Sequence, residues 1–300
     1  MNIALCTDEK YSFPCGVCIT SILENNKEEE CNIYILTEGL EPQTIEKFRS
    51  LERKYNQRII IKRVNSNIFS NLKVCNRFPK SIYFRFILPE LIDHEKKILY
   101  FDCDIIVTGS LKDLWETEIS EYACGVVEDQ RSDDIRVQNN LGLYKRYFNS
   151  GVLLINLEYW RKNNTTQKLT EYIYNNSEKC IFPDQDALNI VLEKEALYLD
   201  YKYNYQELML LKKEECFLHK SKWEKLLKDG EIPVIIHYTG LVKPWILTCE
   251  HKLKSEFLKY KTISLWKDTK LKPQYSFIEK LMLMRRFCLN VLNNKKHHGA

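Results

Sequence analysis

The sequence contains 300 residues, 44% of them hydrophobic, which is enough for a sizeable core in one large domain or two small ones. Its formal net charge is only +4, and no stretch approaches the roughly 18 uninterrupted apolar residues that a membrane-spanning helix needs. The first residues lack the basic region of a signal peptide, so we expect a cytoplasmic protein.

Eleven cysteines are scattered along the chain, and many stand in apolar runs such as "YACGVV". In such runs a free cysteine behaves as a small buried hydrophobic residue. Cys15 and Cys18 have CxxC spacing, but no second pair or neighbouring histidine in the sequence completes a zinc motif. We therefore expect reduced thiols, as is usual in cytoplasmic proteins.

Strand and helix patterns alternate through the first third of the chain. Short β-branched and aromatic runs predict strands, and apolar residues at helical spacing predict helices. The predicted strands cover residues 2–7, 31–37 and 58–64, and the predicted helices cover residues 14–25, 41–56 and 81–92. This alternation predicts an α/β fold with a mostly parallel central sheet and helices on both faces. In such folds, ligands bind at the carboxyl ends of the strands.

The next apolar run, "KKILYFDCDIIV", predicts a core strand that carries two aspartates. Asp102 and Asp104 alternate with Cys103, so in a strand both carboxylates point to the same side of the sheet. Charged side chains are rarely buried without a partner, and two neighbouring carboxylates repel unless a positive charge lies between them. A divalent cation with oxygen ligands meets that need.

Further elements complete the predicted sheet. Residues 121–129, 148–160 and 233–240 are predicted strands, and residues 165–178 and 182–194 are predicted helices. His237 follows the apolar run "VII", just as Asp102 follows "ILYF", so we expect both side chains at one sheet edge. An imidazole beside two carboxylates favours Mn²⁺ over Mg²⁺. Taken singly, the aspartates also fit a solvated turn, and His237 also fits a core histidine.

Five motifs carry a resemblance to a known family. "YFDCDIIV" resembles the metal-binding DxD motif of nucleotide-sugar glycosyltransferases. The other four occur with it in the order and approximate spacing of family 8, the retaining group: "IALCTDEKY", "YFNSGVLLINLEYWR", "FPDQDALN" and "IIHYTGLVKPW". That group includes bacterial lipooligosaccharide galactosyltransferases and, more distantly, glycogenin. The resemblance extends to about residue 250 and implies a GT-A-type catalytic domain, which we assign to residues 1–266.

The resemblance also implies a donor site. Mn²⁺, or alternatively Mg²⁺, would bridge the two phosphates of a UDP-sugar and would be bound by Asp102, Asp104 and His237. The first-strand motif would bind uracil and ribose through Cys6, Thr7, Asp8 and Tyr11. The last-strand motif would close over the diphosphate through Gly240 and Lys243. The implied donor site also includes Arg85 and Cys103.

The donor sugar would lie among polar residues of three segments: Asp129, Asn149, Ser150, Asp184 and Gln185. Glu128 is the alternative to its neighbour Asp129 as the acid that contacts the donor sugar. The implied catalytic residues are Gln185, Asp186 and Asp129, with Gln185 nearest the anomeric carbon. Because an amide is a poor nucleophile, we favour same-face substitution, in which the leaving diphosphate helps to deprotonate the acceptor hydroxyl. Asp186 is the candidate nucleophile for the alternative, a double displacement through a glycosyl-enzyme.

Residues 267–300 form a basic tail. They contain eight Lys and Arg residues against two acidic residues, whereas residues 1–266 are nearly neutral. After Pro273, apolar and basic side chains interleave in a pattern typical of an amphipathic helix at an anionic membrane surface. We expect this tail to hold the domain on the inner face of the cytoplasmic membrane; a helix packed on the domain is the alternative. The interleaved aliphatic residues argue against nucleic acid as a partner.

The motifs together predict a hexosyltransferase. It would move galactose or glucose from a UDP-hexose donor to a cell-surface glycan acceptor, such as lipopolysaccharide or lipooligosaccharide, and form an α-linkage. The alternatives are a transferase for a protein-linked glycan, a transferase for another UDP-sugar, and a sugar-nucleotide-binding protein without catalysis. The complete set of metal-binding residues favours an enzyme over a binding protein.

Overall fold

The computed structural model describes residues 1–69, 72, 79–134, 141–142, 146–210 and 218–273. Within these residues, seven strands form a central sheet in the order β3-β2-β1-β4-β7-β6-β8, and three form a small sheet in the order β5-β10-β9. The strands are β1 Asn2–Cys6, β2 Asn32–Thr37, β3 Arg58–Arg63, β4 Lys97–Phe101, β5 Ile105–Val107, β6 Cys124–Glu128, β7 Phe148–Asn156, β8 Ala196–Tyr198, β9 Tyr205–Gln206 and β10 Ile235–His237.

Most neighbouring strands of the central sheet are parallel. β1 pairs in parallel with β2 and β4, β2 with β3, and β6 with β8. β7 is antiparallel to both β4 and β6. The predicted α/β class with a mostly parallel sheet is therefore confirmed. Because β7 runs in the opposite direction, its first residues lie at the edge where β4 and β6 end.

Helices pack against hydrophobic residues on both faces of the central sheet. In β4, Leu99 and Phe101 belong to one buried cluster, and Ile98 and Tyr100 belong to the other, as strand alternation requires. The first cluster includes residues of the first, second and last of the described helices, and the second cluster includes residues of the central ones. The α-helices are Ser12–Asn25, Pro42–Tyr55, Leu88–Leu91, Lys112–Glu116, Leu157–Lys162, Thr165–Asn176, Pro183–Val191, Lys220–Asp229 and Lys254–Ile263.

Helix Pro42–Tyr55 shows how local sequence sets such boundaries. Pro42 stands in the first turn, where backbone N–H groups have no partner within the helix. The missing N–H group of proline therefore costs no hydrogen bond there. Asn56 ends the helix in the left-handed region with a φ of 52°, which asparagine tolerates better than most residues. Phe48 and Leu51 form the buried face between these ends.

The prediction of one continuous core strand through the two aspartates is wrong. β4 ends at Phe101 and β5 begins at Ile105, so Asp102 and Asp104 lie in the turn between strands of different sheets. The chain leaves the central sheet here because β5 pairs with β10 instead. Both carboxylates still reach one centre, but the turn and not strand alternation brings them there.

Two other predicted boundaries differ from the structure. The strand predicted to reach residue 160 ends at Asn156, whose side chain accepts a hydrogen bond from Tyr159 N at 2.9 Å and caps the next helix. The helix predicted over residues 81–92 is mostly a 3-10 helix, Lys80–Ile87, followed by the short α-helix Leu88–Leu91. Pro89 favours this break, because it has no N–H group to continue the hydrogen-bond ladder.

The last described residues pack against the domain. Trp266 is 3% exposed, and its ring centroid lies 5.2 Å from that of Phe48. Beyond it, Lys272 N donates to Trp245 O at 2.8 Å, and Lys272 O accepts from Leu247 N at 2.9 Å. Packing thus continues through residue 272, past the boundary expected at residue 266. The predicted tail helix falls in residues 274–300, which lie outside the described residues.

Two further sequence expectations concern membranes and thiols. None of the helices in the described ranges is long and apolar enough to cross a bilayer. The eight cysteines in those ranges are free thiols, and Cys15 and Cys18 are both buried in helix Ser12–Asn25. The CxxC spacing therefore serves core packing.

We expect Gly16→Ala to destabilise the domain, because an added methyl group would lie 2.1 Å from the Trp266 ring. Overpacking of a buried site costs about 1–3 kcal/mol, which outweighs the roughly 1 kcal/mol that alanine gains over glycine in a helix. Thermal melting should show a lower Tm. Gly39→Ala is the control, since nothing lies within 4 Å of the added group; an equal shift in both variants would contradict this packing.

Candidate active site

A cleft of about 500 Å³ opens where β1, β4, β6 and β10 end and β7 begins. This volume lies in the range of small-molecule sites. The structure brings together every predicted site residue except Asp186: the cleft is lined by Cys6, Thr7, Asp8, Tyr11, Arg85, Asp102, Cys103, Asp104, Asp129, Asn149, Ser150, Asp184, Gln185, His237, Gly240 and Lys243.

Asp102, Asp104 and His237 converge at the head of this cleft. One ligand atom from each lies within 4.8 Å of the others. His237 Nε2 is 3.2 Å from Asp104 Oδ1 and 4.0 Å from Asp102 Oδ2. Strand register explains the convergence, because β10 pairs antiparallel with β5 and sets His237 opposite Ile105, next to Asp104. Tyr238 N then donates to Asp104 O at 3.0 Å.

A chain of buried amides fixes the orientation of the His237 ring. Gly151 N donates to Asn149 Oδ1 at 3.0 Å, which identifies that atom as the amide oxygen. The same oxygen accepts from Asn204 Nδ2 at 3.0 Å, so Asn204 Oδ1 faces His237 Nδ1 at 2.9 Å. Because an amide oxygen only accepts, Nδ1 of the ring carries a hydrogen, and Nε2 is the ring nitrogen that faces the two aspartates.

Gly151 provides the space for this arrangement. A methyl group at its position would lie 2.2 Å from His237 Cε1 and 2.8 Å from Asp102 Oδ2. Residue 151 must therefore be glycine for the histidine and the aspartate to approach each other. The sequence signal for this residue is the glycine of "FNSGVLL", inside an otherwise apolar strand.

Each aspartate also has a largely buried cation of its own. Arg85 Nη2 lies 3.0 Å from Asp102 Oδ1, and Tyr100 OH donates to the same oxygen at 2.8 Å. Lys243 Nζ lies 2.7 Å from Asp104 Oδ2. Burial raises the pKa of the Asp104 carboxyl, but Lys243 and His237 outweigh burial and hold that pKa well below its usual range. The sequence suggested that a divalent cation relieves the repulsion between the carboxylates; in the structure, side-chain cations already relieve part of it.

The remaining oxygens fit a divalent cation. Each carboxylate presents one oxygen to its own cation and the other, Asp102 Oδ2 or Asp104 Oδ1, to the centre shared with His237. Two carboxylate oxygens and one imidazole nitrogen are a donor set that suits Mn²⁺ and, with water, Mg²⁺. The residues present therefore form a coherent metal-binding set.

Arg85 connects this centre to a second acid. Its Nη1 donates to Ser150 O at 2.8 Å and lies 3.1 Å from Asp184 Oδ2. Ser150 Oγ donates to the same Asp184 oxygen at 3.1 Å. Burial raises the pKa of the Asp184 carboxyl, and Arg85 only partly offsets this. One buried guanidinium thus links the turn after β4, the start of β7 and the helix Pro183–Val191.

Asp129, Asn149 and Gln185 form a second buried polar group beside it. Asp129 Oδ2 accepts from Asn149 Nδ2 at 3.1 Å and from Gln185 Nε2 at 3.2 Å. Gln185 Oε1 accepts from Ser150 N at 3.0 Å and from Asn149 Nδ2 at 3.2 Å. Burial raises the pKa of the Asp129 carboxyl. The group presents fixed acceptors and donors to the cleft, as recognition of hydroxyl groups requires.

Two acidic candidates do not belong to the cleft. Asp186 Oδ2 accepts from the backbone N–H groups of Ile181 (2.7 Å) and Phe182 (3.0 Å), and its other oxygen accepts from Tyr147 OH. The carboxylate therefore holds the first turn of its helix, and Asp186 would have to move to act as a nucleophile. Glu128 also points away from the cleft and contacts side chains of Ser132, Arg146, Tyr201 and Lys222.

The first-strand motif forms another part of the cleft lining. Asp8 accepts from Tyr11 N at 2.9 Å and caps the 3-10 helix Glu9–Tyr11. Tyr11 is 44% exposed, and its ring meets that of Trp245 edge-on at 5.7 Å. Cys103 Sγ donates to Cys6 O at 3.2 Å, so this thiol serves the wall of the cleft. A planar group that enters the cleft here would contact the exposed ring of Tyr11 and backbone polar groups.

Several cleft residues were not predicted. Tyr100, Gln130 and Thr239 line the cleft, and Gln130 Nε2 donates to Thr239 Oγ1 at 3.1 Å. Asn204, which holds His237, is fully buried just before the two-residue strand β9. Its segment, "YKYNYQEL", matches none of the five motifs; the polar residue within an aromatic run is its only signal.

Comparison with known proteins agrees with this geometry. The family model described as Glycosyl transferase family 8 matches residues 2–249. General stress protein A of Bacillus subtilis (strain 168) is 29% identical over 273 residues, 89% of this chain and 94% of that protein. The lipopolysaccharide 1,2-glucosyltransferase of Escherichia coli is 31% identical over 273 residues, 89% of this chain and 79% of that protein.

A solved structure shows the same fold. The galactosyltransferase LgtC, in complex with donor and acceptor sugar analogs, superposes with a TM-score of 0.79 at 22% sequence identity, covering 88% of this chain and 96% of that one. The predicted GT-A-type fold class is thus confirmed. Because the family model covers well over half of its length, the chain belongs to glycosyl transferase family 8, as its five motifs predicted.

Proposed function

We propose that the chain is a retaining hexosyltransferase that moves galactose or glucose from a UDP-sugar to a hydroxyl of a cell-surface glycan, forming an α-linkage. The observation that carries this proposal is the convergence of Asp102, Asp104 and His237, with Lys243 beside them, at the head of a cleft of about 500 Å³. The name of the Escherichia coli relative supports a lipopolysaccharide acceptor.

The donor diphosphate would bind at the head of the cleft. Asp102, Asp104 and His237 would hold Mn²⁺, with Mg²⁺ as the alternative, and this ion would supply Lewis-acid stabilisation of the departing diphosphate. Lys243 would add a second positive charge, and Gly240 would allow the backbone to approach the phosphates. The first-strand residues, with exposed Tyr11, would take the uracil and ribose.

The hexose would occupy the pocket formed by Asp129, Asn149, Ser150, Asp184 and Gln185. The two carboxylates have raised pKa values through burial, and each is held by at least two donors. Fixed acceptors of this kind can discriminate sugar hydroxyl groups. The geometry therefore supports Asp129 and Asp184 as determinants of donor recognition.

The contacts of Gln185 support same-face substitution. Its carbonyl oxygen already accepts from Asn149 and Ser150, so the amide is held as a positioning group and not freed as a nucleophile. Asp186, the candidate nucleophile for double displacement, is engaged by backbone N–H groups away from the cleft. In the proposed step the acceptor oxygen bonds to the anomeric carbon as the bond to the diphosphate breaks on the same face. The acceptor proton passes to a departing phosphate oxygen.

The domain would work at the inner face of the cytoplasmic membrane, where the lipid-linked acceptor is made. Residues 274–300 contain five Lys and Arg residues among bulky apolar ones, a composition that suits an anionic lipid surface. Because residues through 272 pack on the domain, we place the membrane-binding part of the tail after Pro273.

Asp104→Asn should abolish turnover, because it removes one of the two carboxylates of the metal-binding set. We expect UDP release from UDP-galactose or UDP-glucose with Mn²⁺ and acceptor to fall more than about a hundredfold, since metal assistance contributes several kcal/mol. Asp113→Asn, an exposed acid outside the cleft, is the control and should retain full activity. Undiminished UDP release by Asp104→Asn, or no release from any UDP-sugar by the wild type, would contradict the proposed function.

Asn204→Ala should weaken metal binding without touching the metal ligands. The ring of His237 would lose the acceptor that keeps its Nε2 turned to the aspartates, and loss of such a partner typically costs 10–100-fold in affinity. Titration calorimetry with Mn²⁺ and UDP measures the change. Asn163→Ala, at the end of helix Leu157–Lys162, is the matched control; equal affinities in all three proteins would contradict the role of Asn204.

Deletion of residues 274–300 should separate membrane binding from catalysis. We expect UDP release to be retained, because the cleft residues all precede the deletion, while binding to anionic liposomes falls at least about tenfold through loss of five basic residues. Co-sedimentation with anionic and with neutral liposomes measures the effect. Unchanged binding to anionic liposomes would rule out the tail as the membrane anchor.

A further inference from the structure

Lys243 lies between the proposed metal site and the proposed diphosphate site. Its Nζ donates to Asp104 Oδ2 at 2.7 Å and to Tyr238 O at 2.6 Å, so it joins a metal-binding acid to the loop that follows β10. Its side chain is only 19% exposed, and that of Asp104 is 14% exposed. The ion pair is therefore shielded from solvent. Electrostatic interactions are stronger in such a shielded place than at the surface.

We propose that Lys243 is a placeholder cation: without nucleotide it neutralises Asp104 and weakens metal binding, and it releases Asp104 when a diphosphate binds. The proposal rests on the proposed function, which assigns the metal to Asp102, Asp104 and His237 and the diphosphate to Lys243. Its consequence is that the divalent cation and the nucleoside diphosphate each strengthen the binding of the other.

Lys243 reduces the negative charge that a metal ion meets at Asp104. The oxygen that Asp104 offers to the metal, Oδ1, is on the same carboxylate as the oxygen that binds Lys243. An ammonium group held there neutralises part of the negative charge that would attract a dication, and it repels the dication directly. Asp102 is paired in the same way with Arg85, which it shares with Asp184, so the negative charge that would favour the metal alone is reduced at both aspartates.

Of the two cations, Lys243 is less firmly held than Arg85. Arg85 is fixed by Asp102, Asp184, Ser150 O and Ile82 O, from four different segments. Lys243 Nζ contacts the Asp104 carboxylate and the backbone carbonyl of Tyr238, and the lysine side chain is long and flexible. Lys243 also lines the cleft, so its ammonium group can turn to a phosphate oxygen with a small rotation.

The two binding events are therefore linked through one ion pair. A diphosphate that attracts Lys243 leaves Asp104 with its full charge, which favours the metal ion. A metal ion that neutralises Asp104 frees Lys243 for the diphosphate. By thermodynamic reciprocity, the factor by which the diphosphate improves metal affinity equals the factor by which the metal improves diphosphate affinity.

The test measures Mn²⁺ binding by isothermal titration calorimetry on the full chain, with and without saturating UDP. In wild type we expect weak binding that UDP strengthens. Lys243→Met should bind Mn²⁺ without UDP at least about fivefold more tightly than wild type, the lower end of typical coupling, and UDP should improve its affinity by a smaller factor. A merely structural defect would weaken metal binding, so tighter binding is the distinguishing result.

Two further variants and one stability measurement complete the test. Lys243→Arg keeps a positive charge and should bind Mn²⁺ as weakly as wild type without UDP. Lys259→Met removes an exposed charge that pairs with Glu256, far from the cleft lining, and should leave Mn²⁺ affinity unchanged. Mn²⁺ alone should raise the Tm of Lys243→Met more than that of wild type, because tighter binding stabilises the folded state more.

The outcomes separate this inference from the proposed function. Mn²⁺ binding by Lys243→Met that is equal to or weaker than that of wild type overturns the placeholder role and leaves the metal site intact. Equal tightening by Lys259→Met also overturns it, because net charge would then explain the effect. Absence of Mn²⁺ binding by every variant, with and without UDP, overturns the metal assignment and this inference together.

Discussion

The two buried ion pairs, Asp102 with Arg85 and Asp104 with Lys243, are the interactions on which the rest of the cleft depends. An isolated carboxylate at the end of a core strand would carry a large desolvation penalty, and two such carboxylates would also repel each other. With one cation for each acid, the chain holds both acids in place by its own side chains. The donor site is thereby organised before any ligand arrives, and ligands rearrange ion pairs that are already formed.

Strand directions bring the other half of the site to these acids. Antiparallel β7 sets Asn149, Ser150 and Gly151 beside the turn after β4, and β10 sets His237 opposite β5. Buried amides then connect the two sheets, from Gly151 N through Asn149 and Asn204 to the imidazole. The metal-binding residues and the proposed sugar-binding residues consequently share one hydrogen-bond network. A substitution in one group should therefore affect the other group.

Sequence motifs predicted the α/β class and the convergence of all but one site residue, because strand ends and motif order depend on local pattern. They did not predict which residues of a turn face inward. Asp184 and Gln185 line the cleft, whereas Asp186 holds the first turn of the same helix; tertiary packing sets that rotation. Asn204 was missed for a similar reason: its role depends on a contact with His237, distant in sequence and set by the pairing of β9 with β10.

The indole of Trp266 has a consequence for biosynthesis. It fills the space above Gly16 on the first long helix and packs on Phe48 of the second, so these early elements receive one of their buried partners only once residue 266 has been synthesised. Chains that emerge from the ribosome N-terminus first must hold this groove open until then. Until Trp266 packs there, the apolar surface that its ring covers on both helices stays exposed to solvent.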